Sequence, residues 1–332
     1  MQNQTFKIVF DINGNDNGPF AAYQAAKGFA LKNQNFEIIL VGDTSNLDLT
    51  NKPNNITLIE NKNVQSDPKN LRQAMKEDCS MNVAIEILKN NQADAILSSG
   101  DSGCYISALT FKCGRIPNVS RPAFMPVCNA TNGNKFLFLD VGANLVVKPE
   151  YLYEWAVLAT SFYQVMFNKS NPSVTLLNIG TEEYKGNEVV KEANTLLKND
   201  SSLNYVGFNE TRDLFKGKVD IALIDGYGGN LVLKSYEGAI FTFVDLLKNR
   251  IKSSFIRKIG ASIIKGAFKE TAKVLDYRNV GCAWVFGVNA LAIKTHGSSD
   301  ALSYTSALNN IKEALEKDLL TKLKGSVNEK TN

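Results

Sequence analysis

Six short polar segments, each rich in glycine or hydroxyl groups, follow apolar runs of this chain and are the places where chemistry could occur. They read DINGNDNG at 11–18, SSGDSG at 98–103, DVGAN at 140–144, NIG at 178–180, DGYGGN at 225–230 and HGSS at 296–299. Glycine-rich turns that open a helix present backbone N–H groups to anions. One such segment is more often a simple tight turn. Six at equivalent positions favour a shared crevice that binds phosphate.

The same segments exclude several common enzyme classes. The sequence has no GxxxxGK[ST], and Gly14, Gly18, Gly100 and Gly103 do not form GxGxxG after a strand, which disfavours kinases and Rossmann dehydrogenases. The single histidine, His296, and the absence of GxSxG leave little basis for a Ser-His nucleophile. No acidic or cysteine cluster has ligand spacing, so we expect no metal and no disulfide framework.

The elements that position these segments alternate between strands and helices. Apolar or β-branched runs, typical of strands, stand at 6–10, 36–41, 56–59, 93–97, 135–139, 174–177, 205–206, 219–224 and 284–293. Longer helical patterns separate them, which predicts a three-layer α/β/α fold with a mostly parallel sheet. Ligands of such sheets bind beyond the carboxyl ends of the strands. We expect one α/β domain of two closely packed lobes over 1–325, with a helical excursion at about 231–276.

The net charge and the hydropathy of the chain limit the classes of partner that it is expected to bind. The formal net charge is only +4 with 44% hydrophobic residues, unlike the concentrated basic surface of a nucleic-acid binder. It suits an anionic substrate or an acidic protein. The sequence has no apolar run long enough for a membrane span and its first residues carry no signal-peptide pattern, so we expect a cytoplasmic protein.

Longer motifs occur in order along almost the whole chain. In the first half they are DxxGxDNxP (11–19), VGD (41–43), SM (80–81), GRI (114–116), RPA (121–123), LDVGAN (139–144) and KPE (148–150). In the second half they are LLNIGxEExKGNE (176–188), ExRD (210–213), DGxxGNxVLKxxEG (225–238), GVN (287–289) and IKxHGSSD (293–300). This ordered set resembles the bacterial phosphate acyltransferases that act on acyl carrier protein thioesters.

The resemblance implies a function and a fold. It implies transfer of a fatty acyl group from acyl carrier protein to inorganic phosphate without a cofactor, giving acyl phosphate for phosphatidic acid synthesis by a downstream membrane glycerol 3-phosphate acyltransferase. It also implies a homodimer with a fold close to phosphotransacetylase and the isocitrate or isopropylmalate dehydrogenases. That kinship keeps a dehydrogenase-related enzyme as a lesser alternative.

Two segments depart from the family pattern. The first loop usually reads DAMGGDNAP, whereas this chain has Ile12, Asn13 and Asn15; SAGNTG appears as SSGDSG, which places Asp101 where an amide is usual. A carboxylate beside a phosphate site repels the substrate unless it is neutralised or turned away. An alternative is therefore a catalytically weakened, membrane-associated adaptor that docks acyl carrier protein.

The resemblance marks Lys185 and Asn230 as catalytic. Lys185 is expected to bind phosphate or stabilise the departing thiolate, and Asn230 to donate its amide to an oxyanion, with a helix N-cap as its structural alternative. Asp225 is expected either to orient one of them or to hold loop N–H groups, and His296 is even between a structural role and phosphate binding. The full set of expected substrate-binding residues is Asp11, Gly14, Asp16, Asn17, Gly100, Ser102, Gly103, Asn144, Asn178, Asp225, Gly229, His296 and Ser298.

One amphipathic segment suggests a surface contact. In RIKSSFIRKIGASIIKGAFK (250–269), apolar residues recur at helical spacing, the remainder is basic, and no acidic residue occurs. Such a helix either packs in a dimer interface or lies on an anionic membrane. We expect the membrane contact here and the dimer contact on the preceding helix at 231–247.

Overall fold

The computed structural model describes residues 4–275 and 282–328. The strands are β1 (Phe6–Asp11), β2 (Phe36–Gly42), β3 (Ile56–Glu60), β4 (Ala95–Ser98), β5 (Ala123–Asn129), β6 (Lys135–Leu139), β7 (Ser173–Asn178), β8 (Asn204–Glu210), β9 (Ile221–Leu223), β10 (Cys282–Phe286) and β11 (Leu291–Thr295). The helices are α1 (Phe20–Lys32), α2 (Leu71–Ala74), α3 (Ser80–Lys89), α4 (Ser102–Lys112), α5 (Pro149–Phe167), α6 (Glu188–Asn199), α7 (Gly226–Lys252), α8 (Phe255–Ile263), α9 (Lys265–Leu275), α10 (Ala301–Glu316) and α11 (Leu319–Asn328), with a 3-10 helix at Thr211–Lys216.

All the strands belong to one sheet, in the order β3-β2-β1-β4-β11-β10-β5-β6-β9-β7-β8. Strands β3, β2, β1, β4 and β11 are parallel and form the first strand set. Strands β6, β9, β7 and β8 are parallel and form the second strand set. Between them, β10 and β5 make three antiparallel pairings in succession, so the two sets run in opposite directions.

The central strands differ from the sequence expectation. The run at 284–293 is two antiparallel strands, β10 and β11, because the chain turns back after Gly287, whose φ of +92° favours glycine. Strand β5 was not predicted, and it contains Pro126, a residue that weakens a strand signal. Pro126 lies where β5 changes partner from β10 to β6.

Helices cover both faces of the sheet, as the alternation along the strands requires. Ile8 and Phe10 of β1 pack with α1, α5, α10 and α11 on one face, whereas Val9 packs with α3 and α4 on the other. On the second strand set, Phe136 and Phe138 pack with the 3-10 helix and the base of α7. The predicted three-layer α/β/α fold with a mostly parallel sheet is therefore confirmed. The description as one domain of two lobes stays a prediction.

Helices α7 to α9 occupy the region of the predicted excursion, whose expected end at 276 lies outside the described residues. The excursion itself stays a prediction. The segment 250–269 is not one helix: α7 ends at Lys252, and Ser254 takes an extended backbone before α8. Ser253 Oγ and Arg257 Nη1 both donate to the Arg250 carbonyl at the end of α7, at 2.9 and 3.1 Å, which stabilises the break. In the described residues, none of the helices is long and apolar enough to span a membrane.

Candidate active site

A cavity of about 370 Å³ lies between the loops of the first strand set and the base of α7. We call it the central cavity. The first strand set contributes Gly14, Ser99, Gly100, Asp101, Ser102, Lys294, Thr295, His296 and Gly297 to its wall, and the rest comes from Phe124, Pro126, Val141, Asn230, Leu233, Lys234, Glu237, Cys282 and Ala283. Five of the predicted site residues therefore share one space: Gly14, Gly100, Ser102, Asn230 and His296.

The first loop cluster (residues 11–18, 98–103 and 295–299) is closely packed through two glycines. Gly14 has φ +73°, and a Cβ there would lie 2.6 Å from Gly100 Cα. A Cβ on Gly100 would collide with Met81 Cε. These contacts explain why the two loops need glycine where they meet the cavity.

Asp11 supports the first loop cluster from behind the cavity wall. It is 1% exposed and accepts hydrogen bonds from Ser80 Oγ and Ser98 Oγ, each at 2.6 Å. Burial raises the pKa of its carboxyl to about 6, although the two serines and Lys294 act in the opposite direction. Asp11 therefore orders the loops and does not face the cavity.

The two asparagines that depart from the family pattern have structural partners. Asn13 Nδ2 donates to Asn61 O at 2.9 Å, and its Oδ1 accepts the Asp43 N–H at 2.9 Å. Asn15 Nδ2 donates to Ser299 O at 3.1 Å and to the Tyr304 hydroxyl. The first loop, although it departs from the family pattern, is therefore held by hydrogen bonds to the neighbouring segments.

The other polar residues of the first loop order its turn. Asp16 N–H donates to Gly297 O at 2.8 Å, which joins the first loop to the HGSS segment. Asn17 N–H donates to Asn15 Oδ1 at 2.7 Å. Asp16 and Asn17 do not line the central cavity, so the structure gives them positions in the turn and no contact with that space.

The first turn of α4 opens on the central cavity. Asp101 is its N-cap and accepts the Cys104 N–H at 2.8 Å, so its carboxylate is turned towards its own helix. Ser102 and Gly103 follow as the first helical residues, whose N–H groups have no intrahelical acceptor. With the positive end of the helix dipole, this turn can bind an anion.

Lys294 is a buried cation in the cavity wall that the sequence reasoning did not single out. Its side chain lies on β11, it is 8% exposed, and Nζ donates to Ser99 O at 3.2 Å and to Thr295 O. Burial lowers its pKa to about 8, against the attraction of Asp101, Asp11 and Asp16. The signal in the sequence was a lysine inside an otherwise apolar strand, LAIKT.

His296 and Ser298 form a pair at the end of β11. His296 Nδ1 lies 2.9 Å from Ser298 Oγ and accepts the Ser298 N–H at 3.4 Å. Burial, with the nearby ammonium groups of Lys234 and Lys294, lowers the histidine pKa. In the neutral ring the proton is then on Nε2, which can donate to a ligand. Ser298 therefore orients the histidine.

The second loop cluster (residues 140–144, 178–187 and 225–230) begins with a network around Asp140. The Asp140 carboxylate is fully buried and accepts the N–H groups of Phe124 at 3.0 Å and Asn144 at 2.7 Å. Asn144 Nδ2 donates to Pro122 O at 2.7 Å, and its carbonyl accepts the Gly226 N–H. A Cβ on Gly229 would collide with Asp140 O. Asn144 and Gly229 therefore hold the base of α7 in place.

Asp225 caps the N-terminus of α7, whereas Asn230 faces the central cavity. Asp225 is the N-cap of α7 and accepts the Gly228 N–H at 2.8 Å, which is the loop-holding alternative. The N-cap alternative for Asn230 is therefore wrong. Asn230 is exposed and lines the central cavity. Its Cβ and Cγ would lie 3.6 Å from a Cβ added at Gly142, so the two residues are close neighbours. Its amide is free to meet a ligand there.

Lys185 lies in the loop after β7 and does not line the central cavity. Its Nζ is 2.8 Å from Glu182 Oε1, with 35% of the side chain exposed. Asn178 Nδ2 donates to Lys185 O at 3.1 Å, and Gly186, at φ +95°, packs on the Asn178 amide. Asn178 thus orders the loop that presents Lys185. Because β7 pairs with β9, this loop and the start of α7 are neighbours at one edge of the sheet.

The arrangement can bind an anion and polarise a carbonyl. The helix α4 turn, Lys294 and His296 supply donors for the anion, and Asn230 faces the same space. Within residues 4–275 and 282–328, no group of three or more His, Cys, Asp or Glu side chains is placed to hold a metal ion.

Solved structures with a similar fold include three enzymes. A branched-chain phosphotransacylase from Enterococcus faecalis aligns with TM-score 0.58 at 15% identity, over 93% of this chain and 100% of that one. A phosphotransacetylase from Staphylococcus aureus gives 0.57 at 15%, over 94% of each chain. A 4-hydroxythreonine-4-phosphate dehydrogenase from Klebsiella pneumoniae gives 0.53 at 10%, over 95% and 99%. At these identities the likeness shows the fold alone.

Sequence relatives are much closer. The phosphate acyltransferase of Mycoplasmopsis agalactiae is 50% identical over 330 residues, 98% of this chain and 99% of the relative. That of Mycoplasmopsis pulmonis is 46% identical over 310 residues, 93% and 95% of the two chains. A family model described as fatty acid synthesis protein matches residues 6–322. The chain therefore belongs to the phosphate acyltransferase family of fatty acid synthesis proteins.

Proposed function

We propose that this protein transfers a fatty acyl group from the thioester of acyl carrier protein to inorganic phosphate, and that the acyl phosphate serves phosphatidic acid synthesis by a membrane glycerol 3-phosphate acyltransferase. Family membership supports acyl transfer to phosphate. The observation that carries the proposal is the central cavity, because anion-binding donors and the Asn230 amide face one space there. A binding protein would not need that combination.

The reaction joins one phosphate oxygen to the thioester carbonyl carbon. The attack builds negative charge on the carbonyl oxygen, and the amide of Asn230 donates to that oxyanion. The tetrahedral intermediate then collapses, the C–S bond breaks, and the phosphopantetheine sulfur leaves with the electron pair as a thiolate. One preorganised donor of this kind commonly contributes about 3 kcal/mol.

Lys185 supplies positive charge to the same reaction. Its ammonium is paired with Glu182 at the surface, and such exposed pairs are weak, typically under about 1 kcal/mol. Lys185 can therefore leave Glu182 and bind the phosphate or the departing thiolate when the substrate arrives. Ile179 and Tyr184 lie in the same loop, are 81% and 74% exposed, and offer an apolar surface to an acyl chain.

Helices α7 to α9 provide the contacts with a second copy and with the membrane. Phe241, Phe243 and Leu246 on α7 are 48%, 63% and 59% exposed, which suits a dimer contact. On α8, Phe255 and Ile256 are 77% and 81% exposed among basic residues, which suits insertion into an anionic headgroup region. These surfaces would bring a lipid-like product close to its membrane acyltransferase.

Mass spectrometry of the product tests the reaction. Acyl carrier protein thioester and ¹⁸O-labelled phosphate should give labelled acyl phosphate. Unlabelled free fatty acid alone would show a thioesterase. Carrier-protein binding without turnover would favour the adaptor, and quenching of nicotinamide fluorescence on titration would favour the dehydrogenase-related alternative.

A vesicle experiment tests the membrane contact. The wild-type protein should bind anionic vesicles reversibly. Binding should weaken as the salt concentration rises, because salt screens the attraction between the basic side chains and the anionic lipids. The double variant Ile259→Glu/Ile263→Glu should lose binding and remain dimeric and active on soluble substrate. Dissociation of that variant into monomers, with no vesicle binding by wild type, would make α8 a dimer interface instead.

A further inference from the structure

We propose that Lys294 is the cation that binds the phosphate substrate in the central cavity, and that Asp101 keeps this lysine charged in the present chain. The proposal rests on the proposed function for the identity of the anion. It adds a binding residue and a chain-specific partner for it. Lys294 Nζ donates to Ser99 O, two residues before Asp101, and Lys294 and Asp101 both line the central cavity.

The first support is the incomplete pairing of a buried charge. Lys294 is 8% exposed, and its Nζ donates to two backbone carbonyls, Ser99 O and Thr295 O. An ammonium has three N–H donors, so one remains for the cavity that the side chain lines. Both printed acceptors of Nζ are backbone carbonyls, whereas Asp101, Asp11 and Asp16 of the described residues act on it through their charge. A buried cation without an anion is costly, and an anionic ligand would remove that cost.

The second support is that two of the three surrounding carboxylates have hydrogen-bond partners of their own. Asp11 accepts from Ser80 and Ser98, and Asp101 accepts from Cys104 N–H. Asp16, in the first loop, lies against Gly297. They act on Lys294 through space, and none occupies its remaining donor. The position next to Nζ in the cavity is therefore left for a ligand.

The third support is that the same wall can satisfy more than one ligand oxygen. Ser102 begins α4 in the cavity wall, where first-turn N–H groups lack intrahelical acceptors. His296 lines the wall too, and its Nε2 can donate. A tetrahedral oxyanion such as phosphate fits three donors that arrive from different elements. A planar carboxylate would use fewer of them.

Asp101 explains how Lys294 keeps its proton in so buried a place. Desolvation lowers the lysine pKa to about 8, and the charge of Asp101 is the largest influence in the opposite direction, followed by Asp11 and Asp16. His296, which also faces the cavity, is neutral in the range where Lys294 titrates, because its own pKa is lowered. The amide that is usual at position 101 would lack this effect.

Titration calorimetry of the full-length protein with inorganic phosphate, without carrier protein, tests both parts. Wild-type affinity should fall by about 10-fold from pH 7 to pH 9, as a lysine with a pKa of about 8 loses its proton. Phosphate itself becomes more negative over that range, so the loss would not come from the ligand. Lys294→Met should bind at least about 10-fold more weakly at pH 7 and show little pH dependence. Lys312→Met is the control outside the cavity, because Lys312 lies on α10, has 29% of its side chain exposed and pairs with Glu316 at 2.7 Å. It should keep the affinity and the pH profile of wild type.

Asp101→Asn tests the second part. The affinity of this variant for phosphate should begin to fall at a lower pH than in wild type. Without the negative charge of Asp101, the pKa of Lys294 is lower. Tighter phosphate binding at every pH would mean that Asp101 merely repels the anion, and would overturn this part. If Lys294→Met fails to fold, the shifted pH profile of Asp101→Asn decides the proposal.

The binding measurements test the phosphate site independently of the proposed reaction. Wild-type affinity and pH dependence in Lys294→Met would overturn the phosphate site even if the enzyme makes acyl phosphate. Conversely, the predicted binding behaviour in a protein that makes no acyl phosphate would support the anion site and reject the proposed reaction.

Discussion

Around the central cavity, the first loop cluster is packed against buried partners, whereas the second presents its candidate catalytic lysine at the surface. Asp11 and Lys294 are 1% and 8% exposed, and Gly14 and Gly100 bring two loops into backbone contact. In the second cluster the side chain of Lys185 is 35% exposed and paired only with Glu182 among the described contacts. The difference suits two ligands: a small anion that needs fixed donors, and a thioester that arrives on a protein and needs an accessible partner.

The largest effect is expected from the two candidate catalytic residues. Lys185→Ala and Asn230→Ala should each lower the rate of acyl phosphate formation by about 100-fold or more, because each removes charge or a donor that acts mainly in the transition state. Steady-state kinetics with acyl carrier protein thioester measures this effect. The fold should be unchanged, since neither side chain is buried.

Lys191→Ala provides the matched control for Lys185. Lys191 is also 35% exposed and also pairs with a glutamate three residues before it, Glu188 at 3.0 Å. It should retain nearly full activity. Turnover like that of wild type in Lys185→Ala or Asn230→Ala would remove that residue from the mechanism and leave the second loop cluster without its proposed role.

A smaller effect should follow from disturbing the first loop cluster. Gly14→Ala places a Cβ 2.6 Å from Gly100 Cα at a φ of +73°, so we expect a loss of about 2 kcal/mol in stability and a KM for phosphate raised by about 10-fold. Urea unfolding and phosphate kinetics measure the two effects. Gly28→Ala in α1 is the control, because nothing lies within 4 Å of its Cβ and alanine favours a helix. Equal behaviour of the two variants would show that the first loop cluster is not rigid.

The smallest effect should come from the ion pair of the second loop cluster. Glu182→Gln should raise kcat/KM by about 2- to 5-fold, since Lys185 would no longer have to leave a carboxylate. Glu188→Gln should have no effect. A fall of about 10-fold in Glu182→Gln would instead mean that Glu182 positions Lys185, and the contrast between a rigid and a mobile cluster would weaken.

The sequence predicted much of the fold because its outer strands follow simple patterns. Runs such as 6–10 and 36–41 are buried and parallel, as expected. The centre was missed because β5 contains Pro126 and the run at 284–293 turns at Gly287. The two sets of loops therefore follow strands that run in opposite directions, whereas the expected sheet was mostly parallel throughout.

The site was predicted in part for a related reason. Glycine-rich segments after strands led to Gly14 and Gly100, and the family resemblance led to Asn230; all three line the central cavity. Lys294 was missed because it lies inside a strand, whereas the expected site residues lie in the segments that follow strands. Whether Asp225 held its own loop could not be decided from residue type, since an aspartate before a helix suits both roles until its hydrogen bonds are known.

The shape of α7 has a mechanical consequence. The helix has 27 residues, its buried residues are Gly226 and Gly229, and Asn230 comes directly after this pivot. At 1.5 Å per residue it is about 40 Å long, so a tilt of about 5° at its base would move the far end by about 3.5 Å and Asn230 by about 0.5 Å. A displacement of the far end of α7 is therefore much smaller at Asn230. A surface in contact with α8 and α9 can move with little effect on the position of the Asn230 amide.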